Sequence, residues 1–329
     1  MHSDNIVEIR NVSIEYPLRK YTLRAVSDCS LEIKRGAITA LVGESGSGKT
    51  TLASSIIQCI SEPGKVVDGT IQLWDDIGKA PTSVTNLSEK ELSKLRWNRV
   101  SMVFQAAQSS FNPIMTVWEH FWETYHTHEP KASKSDVLRK TKELLSYVKL
   151  DVNRVLSAYP HELSGGMKQR TAIAFAMLLD PDVIILDEPT TALDVITQHY
   201  IFDILRKIKD DTGVSMLLMT HDINVVAQFS DYVGVMYAGR IMEYGKTEEV
   251  FSNPKHPYTK GLLQATPSLS CDLSELQPIA GSPPDLRNLP TGCKFCDRCP
   301  LATERCFGEE PATKKIPGRE YKCYLTEEA

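Results

Sequence analysis

The spacing of apolar and polar residues changes several times along the chain, and each change predicts an element. Residues 6–42 set short apolar runs between turns: Ile6-Val7-Glu8-Ile9, Val12-Ser13-Ile14, Leu31-Glu32-Ile33, then the unbroken run Ile38 to Val42. This predicts a β-rich edge leading into a strand buried on both faces. A glycine-rich turn follows, and Thr50 to Cys59 reads as the helix it opens. Residues 61–90 are polar and turn-rich, and Val100 to Phe104 is a further short strand. From Met115 to Leu150 apolar residues recur at helical spacing, with Ser135-Asp136 as a helix start, which predicts a mainly helical insertion. A helix from Gly166 to Leu179 stops before Pro181. Val183–Leu186 and Val214–Met219 read as buried parallel strands, joined by a helix whose stripe is Ile201, Ile204, Leu205 and Ile208. That strand–helix–strand rhythm argues an α/β sheet. Tyr232–Tyr237 and Arg240–Tyr244 close it. Pro254, Pro257, Pro267, Pro278, Pro283, Pro284 and Pro290 then mark a change of texture, with a boundary near 250–260 and an irregular tail beyond. No internal repeat is visible.

Composition narrows the class. With 329 residues there is room for one large domain and a smaller one. A hydrophobic content of 42% with 24% charged residues suits a globular protein. A net charge of −5 and no Lys/Arg block argue against a nucleic-acid partner. The longest apolar runs are strand length, far from the roughly 20 residues that span a bilayer. The start, Met1-His2-Ser3-Asp4-Asn5, lacks a basic-then-apolar signal pattern, so the expected location is cytoplasmic. Any service to a membrane runs through a partner.

The chemistry sits in three motifs. Gly43-Glu44-Ser45-Gly46-Ser47-Gly48-Lys49-Thr50 lies between a strand and a helix, where a phosphate-binding loop belongs. Gly43, Gly46 and Gly48 let backbone N–H groups approach phosphate oxygens, and the helix N-terminus adds partial positive charge. Lys49 would reach the β- and γ-phosphates, and the Thr50 hydroxyl would bind Mg²⁺. Val183-Ile184-Ile185-Leu186-Asp187-Glu188 ends a buried strand in two carboxylates. A buried Asp187 needs a partner, and Mg²⁺ is the natural one. Glu188 is the candidate to polarise an attacking water. Between them stands Leu163-Ser164-Gly165-Gly166-Met167-Lys168-Gln169-Arg170.

The order of these three motifs resembles the ATPase subunits of ABC transporters. That resemblance implies an α/β fold with a P-loop NTPase (RecA-like) core, a β-rich edge and a helical subdomain at about 106–165. Together these would fill residues 1–255, with a small irregular Cys-rich domain over 256–329. It implies a dimeric ATPase in which Ser164, Gly165 and Gly166 meet the γ-phosphate held by the other subunit. Gln105 resembles the glutamine that links Mg²⁺ and water to the membrane partner, Asp194 the dimer-interface aspartate, and His221 the histidine at the γ-phosphate. Ser45 and Thr51 join the nucleotide-binding set by the same likeness. Tyr16 resembles the aromatic that stacks on adenine, with Tyr21 as its competitor.

Tyr159-Pro160-His161-Glu162-Leu163, Glu188-Pro189-Thr190-Thr191-Ala192-Leu193-Asp194-Val195 and Asn253-Pro254-Lys255-His256-Pro257-Tyr258 resemble the peptide/nickel-type importers in particular. Ala106-Ala107 departs from that branch, which carries an acidic residue and a proline there. The branch implies di- or oligopeptides, nickel complexes or cello-oligosaccharides as cargo. Its partners are two transmembrane permease subunits, an extracytoplasmic substrate-binding protein and a second ATPase, sister chain or self. The implied place is the cytoplasmic face of the membrane, with residues 106–130 as permease-docking surface. A soluble ABC ATPase is the rival class. One ATPase domain, no sustained heptads and an acidic balance argue against it.

Cysteines crowd the tail: Cys271, Cys293, Cys296, Cys299, Cys306 and Cys323. In a reducing compartment such a cluster reads as a metal or iron–sulfur site before disulfides. Some members of the importer branch bind a [4Fe–4S] cluster, and Cys293, Cys299, Cys306 and Cys323 match its ligands, with Cys296 additional. Zn²⁺ is the alternative, since four thiolates also suit a tetrahedral ion.

Overall fold

The structure is a computed structural model that describes residues 4–74, 80–105, 110–266 and 278–325. Ala106-Ala107, Pro267 and Cys271 lie outside the described residues. The chain divides into two compact units, Met1–Asn86 with Met219–Ala329, and Leu87–Leu218.

In the first unit, strands β1 (Asn5–Pro17) and β2 (Thr22–Lys34) form a long antiparallel pair. The two short runs expected between residues 6 and 14 are one strand, kept continuous by register shifts between Ile9 and Val12 and between Val12 and Ile14. Strand β3 (Ile38–Val42) is buried along its whole length and runs into the glycine loop and helix α1 (Lys49–Ile56). Strand β4 (Lys65–Leu73), in a stretch expected to be only polar turns, pairs with β1 at Val7↔Leu73 and Ile9↔Ile71, and a short β5 (Thr82–Ser83) pairs with β4. Asp68-Gly69 disguises it. Gly69 has φ 84°, and a Cβ there would stand 2.5 Å from the carbonyl oxygens of Arg10 and Asn11. The signal read as a turn is a bulge inside a strand.

The second unit begins with α2 (Glu89–Leu95), opened by a Ser88–Glu91 capping box, and β6 (Val100–Val103). Helices α3 (Val117–His128), α4 (Lys134–Tyr147) and α5 (Val152–Ser157) form the expected helical stretch, with Thr116, Ser133 and Asp151 as N-caps. Helix α6 (Gly165–Ala176) precedes β7 (Val183–Asp187), which pairs with β6 in parallel. Helix α7 (Val195–Thr212) buries Ile201, Ile204, Leu205 and Ile208 and ends at Gly213 in the left-handed region. Strand β8 (Ser215–Thr220) carries the chain back to the first unit.

There follow α8 (Ile223–Phe229), β9 (Tyr232–Tyr237) and β10 (Arg240–Lys246). Strand β9 pairs in parallel with β3 and antiparallel with β10. Helices α9 (Thr247–Ser252), α10 (Pro257–Gln264) and α11 (Glu304–Gly308) and the hairpin β11 (Lys314–Ile316) and β12 (Arg319–Tyr321) complete the chain. Strand β12 pairs with β10. The compact units therefore divide the chain at places other than 255/256. Tyr258, Phe295, Cys293, Cys296 and Cys306 share one buried cluster with Val233, Val235 and Tyr237.

The buried carboxylate of Glu243 anchors this arrangement. It is paired with Arg319 of β12 and accepts the backbone N–H groups of Lys255 (2.9 Å) and His256 (3.0 Å). The strand pairing and the chain entering α10 are thus fastened to one fully desolvated group.

Candidate functional site

The glycine loop is a preformed backbone cradle. A Cβ on Gly43 would stand 2.0 Å from the carbonyl oxygen of Met236, and one on Gly48, at φ 102°, 2.7 Å from that of Ala25. No other residue fits either place. At Gly46 nothing stands within 4 Å of an added Cβ, so this turn of the loop faces open space. Lys49 is 7% exposed, and its ammonium donates to the carbonyls of Gly43 (2.8 Å) and Glu44 (3.0 Å). It crosses its own loop, which puts a cation where a phosphate would need one. Ser45 and Thr50 are exposed. The two tyrosines stand apart. The hydroxyl of half-buried Tyr16 meets that of Thr51 at 3.5 Å, and its ring covers Gly64. Tyr21 is 43% exposed and borders a cavity of about 320 Å³ lined also by Glu44–Ser47, Tyr237 and Pro283–Arg287. His221 is exposed and follows β8 in the same unit.

In the second unit β7 delivers Asp187, 2% exposed, and then Glu188 in the left-handed region at φ 45°. Two hydrogen bonds reach Oε2 of the Glu188 carboxylate: Gln105 Nε2 donates at 3.1 Å and Thr191 Oγ1 at 2.9 Å. The structure therefore brings Gln105 and Glu188 together, with Gln105 and Thr191 as neutral donors to one carboxylate oxygen. Thr191 is a contact the sequence reading missed. Its position three residues after Glu188, inside a turn closed by Thr191 N–H on the Glu188 carbonyl (3.2 Å), is the signal that exposes it.

Two helix starts in this unit carry further candidates. Ser164 N-caps α6 and accepts from Met167 N–H at 3.4 Å, leaving the first-turn amides of Gly165 and Gly166 at a helix N-terminus. Asp194 N-caps α7, accepting Thr197 N–H (2.9 Å) and Thr197 Oγ1 (2.7 Å). The Thr197 side-chain hydrogen bond, then its backbone one, holds the carboxyl below the usual range. Beside it Val195 and Ile196 are 67% and 84% exposed.

The cysteines lie in the first unit. Cys293, Cys296, Cys299, Cys306 and Cys323 line one cavity of about 10 Å³. That is room for about one water. Burial pushes the Cys293 thiol up to about 12, and burial with the Asp297 charge pushes Cys296 up to about 11. Burial also raises Cys299 and Cys323. The donors are soft and suit a thiophilic group. Their arrangement is one of packed thiols, and among the described residues no group of three or more His, Cys, Asp and Glu is placed to hold a metal ion. Cys296 lines the cavity equally with the four.

Among the described residues no helix is long and apolar enough to cross a membrane. The family profile described as ABC transporter matches residues 26–191, and the profile for the oligopeptide/dipeptide transporter C-terminal region matches residues 242–306. The chain is 41% identical over 324 residues to the dipeptide transport ATP-binding protein DppD of Caldanaerobacter subterraneus subsp. tengcongensis, covering 98% of each. It is 38% identical over 324 residues to the oligopeptide transport ATP-binding protein OppD of Salmonella typhimurium, covering 97% of this chain and 93% of that one. A solved dimer of the ATP-binding cassette MJ0796 with ADP and Pi is similar at 29% identity and TM-score 0.65, over 73% of this chain and 98% of that chain.

Proposed function

This chain belongs to the ABC transporter family, and on that premise we propose that it hydrolyses ATP to drive import of di- or oligopeptides. The single observation that carries the cargo class is likeness along nearly the whole chain, tail included, to curated peptide-transport ATP-binding proteins. The catalytic reading is supported by the Glu188 carboxylate, which two donors aim from a strand end.

In this reading Gly43, Ser45, Gly46, Gly48, Lys49 and Thr51 hold the phosphates, and Tyr16 stacks on the adenine. Thr50, Gln105 and Asp187 would hold Mg²⁺, which when bound supplies charge neutralisation at the phosphates. Glu188 orients and polarises water, with Gln105 and His221 completing the catalytic set. Ser164, Gly165 and Gly166 reach nucleotide held by the second ATPase, and Asp194 lies at the dimer interface. The chain works at the cytoplasmic face of the membrane beside two permease subunits, a second ATPase and an extracytoplasmic substrate-binding protein. The surface from about 106 to 130, within which Ile114 is 80% exposed, receives the permease. The partner's helix would cover that side chain.

In this reading Cys293, Cys299, Cys306 and Cys323 would be the ligands of a [4Fe–4S] cluster, with Cys296 beside them. What supports it is that all five thiols line one cavity. The cluster would clamp a tail with little core of its own. Anaerobically purified protein should contain iron and acid-labile sulfide in equal amounts, and zinc in their place would overturn the cluster. The transport reading is tested in vesicles holding the co-expressed permease, with binding protein added. ATP hydrolysis should rise with peptides and not with cello-oligosaccharides. Hydrolysis by this chain alone, indifferent to every partner, would refute it.

A further inference from the structure

The second residue of the phosphate loop is an acid, the wrong charge beside a polyphosphate. Glu44 is held at three points. Its carbonyl accepts from Lys49 at 3.0 Å, and its N–H donates to the buried Tyr258 hydroxyl at 3.0 Å. Its carboxylate is gripped bidentately by the Arg298 guanidinium, Nη1 to Oε2 at 2.6 Å and Nη2 to Oε1 at 2.9 Å. The Arg298 side chain is 7% exposed and that of Glu44 24%. Arg298 is itself fixed. Its Nε donates to the Ala280 carbonyl at 2.8 Å, and its guanidinium lies 5.8 Å from the Tyr237 ring centroid. It rides on the single turn Cys296–Arg298, which the Cys299 N–H closes onto the Cys296 carbonyl at 3.3 Å. The loop and this turn are 254 residues apart in sequence.

A partly buried bidentate pair between elements so distant is a specific tether. It cancels the charge of Glu44 and points its carboxylate at the tail. With Tyr258 it also fixes the outer backbone of the loop, which leaves the inward amides in one arrangement. We propose that Arg298 is a positioning residue for the nucleotide site: it neutralises Glu44 and holds the start of the phosphate loop, so the cysteine-bearing tail is part of the machinery that sets nucleotide affinity. This rests on the ATP-binding role proposed above for that loop.

The test is calorimetric titration of the full chain with Mg²⁺ and the non-hydrolysable analogue AMPPNP. Arg298→Gln should weaken binding about tenfold, the scale of a lost charged hydrogen bond. Adding Glu44→Gln to Arg298→Gln should restore affinity to within about threefold of the unsubstituted chain, because the carboxylate left uncompensated is then gone. A merely structural arginine would give no such rescue. Arg298→Lys, which keeps the charge, should lose less than Arg298→Gln. The inference is overturned if Arg298→Gln binds as the unsubstituted chain does, if the double variant stays as weak as Arg298→Gln, or if Arg298→Lys is equally weak. Absence of saturable binding by the unsubstituted chain would instead defeat the nucleotide reading, and this inference with it.

Discussion

Glu188→Gln separates the chemistry of the site from its architecture. Glutamine keeps the length and shape of the side chain and an oxygen that can accept from Thr191 Oγ1 and Gln105 Nε2, now 2.9 and 3.1 Å from the carboxylate. The turn should persist, since the Thr191 N–H bond to the Glu188 carbonyl needs no side chain. What goes is the negative charge that, in the proposed mechanism, polarises water. Loss of a general base lowers a rate by about 10²–10⁴-fold. Thr191→Val removes a bond that aims the carboxylate. A hydrogen bond to a charged group contributes about 1.5–3 kcal/mol, and the low end applies to this exposed contact. Passed on to the transition state, about 1.5 kcal/mol is about tenfold in rate. Single-turnover hydrolysis of radiolabelled ATP, with nucleotide affinity measured separately, should give a ladder: unsubstituted, Thr191→Val about tenfold slower, Glu188→Gln slower by a further factor of ten or more. Affinity should move less than threefold throughout. Glu188→Gln within tenfold of the unsubstituted rate would refute Glu188 as the water-activating group. Thr191→Val as slow as Glu188→Gln would show that the loop, and not the charge, had been lost.

Further outcomes follow from the same geometry. Arg319→Met strands the fully buried Glu243 carboxylate, and should cost about 3–5 kcal/mol in urea unfolding. Adding Glu243→Gln should recover part of that. Tyr16→Ala should weaken ATP binding at least fivefold while Tyr21→Ala changes it less than twofold, and the reverse pattern in a fluorescent-ATP titration would give the adenine to Tyr21. Gly48→Ala should abolish ATP binding or folding, because its Cβ meets the Ala25 carbonyl at 2.7 Å and φ is 102°. Thermal melts and nucleotide titration would tell the two apart. In metal-free protein the Cys293 thiol is raised from 9.0 to about 12 by burial. A raised acid is favoured neutral by the fold, so its contribution to stability is complete below about pH 9 and is lost as pH rises toward 12. Denaturant midpoints should fall across that window, and in Cys293→Ser this part of the fall should vanish.

The nucleotide motifs were legible because each is a local rule about backbone. Gly43 and Gly48 mark places where a side chain collides with a carbonyl, and a continuous apolar run ending in two acids marks a buried strand that opens onto a loop. The α/β class followed from the change of period between strands and helices, and the helical stretch after residue 115 was visible in its apolar spacing, although the helix expected to start at Ser135-Asp136 is capped by Ser133. Illegible were the features set by partners far away in sequence. Strand β4 hid because Asp68-Gly69 signals a turn equally well in a bulge. Proline-rich texture beyond a boundary near 250–260 suggested a small domain over 256–329, and texture alone says nothing of how its residues pack. Tyr258 and Phe295 are apolar enough to enter a neighbouring core, and they do. The pairing of Glu44 with Arg298 has no local signal, since neither residue's neighbours hint at the other.

The turn that follows β7 is held by a set of bonds of its own. Glu188 and Ala192 both hold left-handed backbone, at φ 45° and 65°, in a stretch without glycine. Such residues are strained by about 1–3 kcal/mol each and persist only where the surroundings over-determine them. Here the surroundings are countable. Thr191 N–H bonds the Glu188 carbonyl and Leu193 N–H the Thr190 carbonyl, both at 3.2 Å. The amide of Gln198 on α7 donates to the carbonyls of Thr190 and Leu193 at 3.3 Å. Asp194 then pins the start of that helix through Thr197. Each bond is modest alone, but together they tie the turn after β7 to the first turns of α7. The strain is therefore the geometric condition for turning a strand end so sharply that its last carboxylate leaves the core. Asp187 stays buried while Glu188, one residue on, faces Gln105 at the surface. For the water-polarising role proposed for Glu188, the gain is a carboxylate already oriented before any water arrives.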